Sequence, residues 1–134
     1  DFIGEMTQFT GTTSGRSSVK IGNTELNTVA HQFGDGHEVS LTIRPEDIIP
    51  LGAKPETKKD ASNSTKNIFS TKLEEMEFLG SFWRCKLKAD EFSEALVTAD
   101  FSVNAVRRLS LEPNQNLWIE VPSESILAFN LQAT

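Results

Sequence analysis

The run Val39-Ser40-Leu41-Thr42-Ile43-Arg44-Pro45 decides the fold class. Val39, Leu41 and Ile43 face one way while Ser40 and Thr42 face the other, the period of two of a half-buried β-strand. Gly34-Asp35-Gly36 precedes it with glycines suited to the positive φ of a tight turn. Pro45, which has no N–H for a ladder, stops it. The same reading predicts strands at 18–21, 68–78, 82–88, 96–101 and 117–121. Helical signals are weak: a turn over Asp90 to Ala95, and another at Ser123-Glu124-Ser125 after Pro122. The stretch from about 52 to 67 holds four lysines and a Ser-Asn-Ser-Thr patch without periodic apolar residues, and reads as a surface connector. Many short strands and few helices make the expected class all-β, a barrel or sandwich with short helical turns.

Val39 to Ile43, then Pro45 and Ile49, is echoed by Leu117 to Val121, then Pro122 and Ile126. Duplication and converging strand-end chemistry explain the echo equally well. At 134 residues the chain fits one domain spanning 1–134, or two small lobes sharing a core. Apolar residues make up 37% and charged residues 24%, which places it with folded rather than disordered chains. A net charge of -6 opposes partners held through phosphates, so no nucleic acid is expected. Cys85 is the single cysteine and forms no intramolecular disulfide, in keeping with a reducing compartment. No apolar run approaches the roughly 18 residues of a membrane span. The chain opens on Asp1 and runs at once into Phe2-Ile3-Gly4, which reads as a piece of a longer protein.

Candidate chemistry is sparse. Neither a G-x-x-x-x-G-K-[ST] phosphate loop nor a G-x-G-x-x-G fingerprint is present, and Gly11 to Ser18 reads as hairpin-turn chemistry. His31 and His37 read as solvated loop histidines. With Cys85 far away in sequence, no metal site is expected. No catalytic residue is assigned, since no local signature supports a nucleophile. Asn63-Ser64-Thr65 matches the glycosylation triplet by accident. Trp83 and Trp118 could stack bases but read better as core or subunit contact. Arg44 could clamp a small oxyanion through its guanidinium fork or pin the Pro45-Glu46-Asp47 turn as an ion pair.

Ile43-Arg44-Pro45-Glu46-Asp47-Ile48, followed some thirty residues later by Glu77-Phe78-Leu79-Gly80-Ser81, resembles the paired signature of the TOBE domain that follows the ATPase domain in many bacterial ABC import subunits. Phe2-Ile3-Gly4-Glu5-Met6 resembles the segment where the chain leaves that ATPase domain, and Leu117 to Val121 with Pro122 and Phe129 the closing strand. Thr42 stands where the family usually has glycine, the connector is longer than usual, and residues 99–110 match no family pattern.

The resemblance implies an OB-like β-barrel built from discontinuous segments and acting as a regulatory, dimer-stabilising appendage. The fragment would hold no cofactor, while the intact subunit would use ATP and magnesium to drive solute import. Its implied partners are the nucleotide-binding domain of the same chain, a second ATPase subunit and, indirectly, a membrane permease. The implied location is the cytoplasmic side of the inner membrane. Arg44, Pro45, Glu46, Glu77, Phe78, Leu79 and Gly80 are then the motif residues, structural or ligand-contacting. Phe82, Trp83 and Trp118 are the candidate interface. Phe82 and Trp83 point to opposite faces of one strand, and Cys85 and Leu87 favour Phe82 as the outward one. The alternative is a free-standing OB-fold module binding a small oxyanion or single-stranded nucleic acid.

Overall fold

A computed structural model describes residues 7–22, 24–28, 31–52, 67–89 and 96–130. The chain is mostly β, in two curled five-stranded sheets. The first has the order β10-β4-β1-β2-β3, from Ile126–Asn130, Glu38–Ile43, Thr7–Thr13, Ser18–Ile21 and Thr24–Asn27. The second has the order β5-β9-β6-β7-β8, from Ile49–Gly52, Asn116–Glu120, Ile68–Phe78, Phe82–Lys88 and Leu96–Ser102. All described pairings are antiparallel. The last strand joins the first sheet, so each sheet draws on distant segments.

The run that opened the sequence reading is β4, the strand held between β1 and β10. Val39, Leu41 and Ile43 are fully buried, and Gly34 and Gly36 take φ of 79° and 72° ahead of the strand. Pro45 begins a 3-10 turn, Pro45–Asp47, which carries the chain from β4 into β5 of the other sheet. One cluster of buried apolar side chains spans both sheets, from Val19, Leu26 and Leu41 to Leu73, Phe101 and Ile119.

Several elements depart from the sequence reading. Strands β1, β3, β5 and β10 carry no clear alternation or are too short to show it. Gly11 lies inside β1, not in a turn: a Cβ there would sit 2.6 Å from Val19 Cγ1 and 2.9 Å from the Lys20 carbonyl oxygen. Only residues 14–17 turn the chain into β2. Within residues 99–110, which match no family pattern, lies the helix α1, Val103–Leu109, capped by the Ser102 hydroxyl accepting the Ala105 N–H at 3.0 Å. The 3-10 turn Ser123–Ser125 follows Pro122 as expected. The histidines are not solvated: both are half-buried, and Phe33 stacks on His37 at 5.2 Å and tilts against His31 at 5.7 Å. Their Nε2 atoms are buried and have no hydrogen-bond partner among the described residues. The Asp90 to Ala95 turn, the body of the connector, Asn63-Ser64-Thr65 and the Phe2 to Met6 segment lie outside the described residues.

Candidate functional site

The two motif segments occupy different parts of the fold. In the first, Pro45 and Ile48 are buried and fix the crossing between the sheets, while Arg44 and Glu46 face solvent. Among the described residues Arg44 makes no salt bridge, so the ion-pair reading of the turn is not the one observed. The second segment is the tip of the β6–β7 hairpin. Gly80 takes φ of 99° there, where a side chain would be strained, and Leu79 N–H donates to the Phe82 carbonyl at 2.9 Å. Glu77, Phe78 and Leu79 are all exposed.

A register shift between Leu73 and Glu75 shapes this hairpin. Before it Phe69, Thr71 and Leu73 point inward; after it Met76, opposite buried Cys85, takes the inward place. The added residue moves Phe78 onto the face of Trp83, its direct cross-strand partner, with ring centroids 5.2 Å apart. The core-side face of the hairpin thus runs past the end of the core, which leaves Phe78 50% exposed. Helix α1 packs alongside it. Phe78, Trp83, Val103, Val106 and Arg107 line a cavity of about 390 Å³ with an aromatic wall and a guanidinium at its rim. Such a groove suits an apolar group carrying a negative or hydrogen-bond-accepting end.

Trp83 packs against the core, as the neighbouring Cys85 and Leu87 suggested. Phe82 lies on the opposite face and is half-buried, with the Arg84 guanidinium carbon 5.5 Å from its ring centre. Arg84 in turn forms a two-pronged pair with Asp100 on β8, both contacts 2.8 Å. Trp118 does not join them. It lies opposite Ser70, eight positions along β6 from Phe78, roughly 25 Å at strand spacing. Signals for α1 existed in the sequence, namely the Ser102 cap and the Val103, Val106 spacing, but two turns are too short for a clear period.

Among the described residues no group of three or more His, Cys, Asp or Glu is placed to hold a metal ion. No helix of the described residues is long and apolar enough to cross a membrane. Cys85 is fully buried, and that burial, with the Asp100 charge adding to it, pushes its thiol up to about 12.

No protein-family model matches the chain. Among individual proteins, the Fe(3+) ions import ATP-binding protein FbpC 2 of Rhizobium meliloti (strain 1021) is 43% identical over 131 residues, which is 96% of this chain and 33% of that protein. The chain is homologous to the C-terminal region of ABC importer ATP-binding subunits. The sulfate/thiosulfate import ATP-binding protein CysA 2 of Chromobacterium violaceum is 23% identical over 129 residues, again 96% of this chain and 33% of that protein. This homologue of the importer subunits thus spans about a third of the length of either relative. Its fold is shared with a solved structure of the cytoplasmic molybdate-binding protein ModG with molybdate bound, at a TM-score of 0.70 and 15% identity, covering 92% of this chain and 95% of that one. The OB-like TOBE architecture expected from the motifs is therefore the one observed.

Proposed function

We propose that this chain is the regulatory and dimer-stabilising domain of an ABC importer ATP-binding subunit. The observation that carries the reading is the 43% identity maintained along 96% of the chain to an iron(III) import ATP-binding protein. ATP and magnesium are held by a nucleotide-binding domain elsewhere in the intact subunit, since this chain has no glycine-rich phosphate loop. Two such subunits pair at the cytoplasmic side of the membrane and drive solute uptake through a permease. The two relatives match the same share of this chain but are named for different solutes, iron(III) in one and sulfate or thiosulfate in the other. The cargo is accordingly chosen by other components of the importer.

The test is removal of this domain from the intact subunit. With it, two subunits stay paired after ATP has been hydrolysed and released; without it, sedimentation velocity in the absence of nucleotide shows monomers. Unchanged pairing after the deletion removes the dimer-stabilising role.

The fold of a molybdate-binding protein favours a second reading, in which this module also senses a small oxyanion. Arg44 is exposed at the motif turn and supplies a planar pair of donors for one. Under this reading calorimetry gives micromolar binding of molybdate or sulfate to the chain, weakened at least tenfold in Arg44→Ala. Absence of heat with both anions eliminates it.

A further inference from the structure

The groove between the β6–β7 hairpin and α1 has a fixed floor. Trp83 and Val106 both pack against the core, so their places are set before anything binds. Strand β8 runs through Phe101, the cross-strand partner of Trp83, to Ser102, and α1 begins at the next residue. The Ser102 cap and the buried Ala105 hold α1 in place beside the hairpin. Phe78 forms the outer side, its ring tilted 48° from that of Trp83 and half of its surface exposed. An aromatic of this size, half in water beside a second ring, offers contact area beyond what the core uses.

Arg107 is the one charged side chain among the lining residues, and it is exposed at the rim. Among the described residues it forms no salt bridge. The carboxylates nearest in the ladder are engaged or turned away. Glu77 precedes Phe78 but lies on the opposite face of β6, across from Arg84, and Asp100 is held by Arg84 through two 2.8 Å contacts. A chain of net charge -6 thus presents, at this place, two aromatic rings and one guanidinium with no acid among the lining residues. The guanidinium fork matches a carboxylate, two N–H donors to two oxygens. Phosphates and nucleotides fit less well, since their further charges find no second cation here and the chain as a whole repels them. At about 390 Å³ the groove lies near the lower end of the roughly 300–1,000 Å³ of small-molecule sites, room for one ring and its substituent. Rings tilted to one another offer a flat body a face on one side and an edge on the other.

We infer that this groove binds a small aromatic monocarboxylate, its ring against Phe78 and Trp83 and its carboxylate on the Arg107 guanidinium. The inference involves neither Arg44 nor the pairing of subunits. Recognition needs both halves of the ligand. The ring buries the exposed face of Phe78, and the carboxylate answers the one cation of the lining. The groove is shallow and the ligand small, so the dissociation constant is on the order of 100 μM.

The probe is phenylacetate, read by the emission of Trp83 in a Trp118→Phe protein, where it is the one tryptophan left. The emission changes saturably with a dissociation constant on the order of 100 μM, while acetate and phenylacetamide, which supply the charge or the ring alone, bind at least tenfold more weakly. Arg107→Gln and Phe78→Ala each weaken phenylacetate about tenfold. Arg108→Gln, at the adjoining exposed position, leaves the affinity as it was, and an excess of sulfate does not displace the ligand. Phe78 and Arg107 are both exposed, so Tm stays unchanged in the two variants; Arg107→Gln carries the test alone if Phe78→Ala folds poorly. No saturable change up to about 10 mM phenylacetate overturns the inference. Equal affinity for phenylacetamide, with Arg107→Gln without effect, overturns it by making the groove a plain apolar contact. Displacement by sulfate overturns it by making the groove a general anion site.

Discussion

Asn67→Ala will lower the unfolding free energy by about 3 kcal/mol, as read from urea denaturation at neutral pH. Asn67 sits just before β6 in the second sheet and is 4% exposed, yet its side chain works in the first. Its Oδ1 accepts the Asn27 N–H at 2.8 Å, and its Nδ2 donates to the carbonyls of Asn27 and Val121, both at 2.9 Å. One amide thus stands in for a strand partner at the end of β3 and ties it to the end of β9. Truncation leaves one N–H and two carbonyls without that partner, each costing about 1 kcal/mol or more when kept from water. Asn67→Asp is no rescue, because a carboxylate accepts from Asn27 but cannot donate to either carbonyl. Asn27→Ala is the comparison: it keeps the backbone groups that Asn67 engages and removes the long 3.5 Å contact between the two side chains. A cost below about 1 kcal/mol for Asn67→Ala would show that this amide adds little to the apolar packing that holds the sheets together.

That joint is also a measure of what the sequence could reveal. Alternation marked β4, β6, β7, β8 and β9 because each has one face in the core, and a period of two survives in a single sequence. The motif turn could be located because Pro45 ends a strand for a local steric reason. Asn67 could not be read, since its partners lie 40 and 54 residues away and an asparagine beside a polar connector looks like connector. The groove beside Trp83 was hidden for a different reason. The bulge after Leu73 shifts the facing of every later residue in β6, so counting by twos puts Phe78 on the wrong side. Gly11 misled in the opposite direction: a glycine between threonines suggests a turn, but here it lets β1 lie close to Val19.

Alkaline pH will destabilise this chain through Cys85, by about 2 kcal/mol at pH 10.5 relative to Cys85→Ala. Cys85 lies in β7 between Met76 of β6 and Ala99 of β8, fully out of contact with water. Burial penalises the thiolate, and the Asp100 carboxylate opposes it further, so the folded-state value rises from 9.0 to about 12. In the unfolded chain the thiol returns to its ordinary range. Below about pH 9 both states keep the proton and the contribution to stability is complete. Between 9 and 12 the unfolded chain sheds a proton that the folded chain retains, and the folded state loses ground by about 1.4 kcal/mol per pH unit. Above about 12 the loss levels off. The absence of tyrosine keeps phenol titration out of this window, and the lysines, common to both proteins, cancel in the difference. Cys85→Ala costs stability at every pH through the space it vacates, so the informative quantity is the slope between pH 9 and 10.5 and not the offset. Thiol modification supplies an independent reading: at pH 8 Cys85 reacts only as fast as the chain opens, and urea accelerates it in step with unfolding. Equal pH slopes for the two proteins, or rapid labelling of the native chain, would mean that water reaches the sulfur and that the β6–β7–β8 face is looser than its packing indicates.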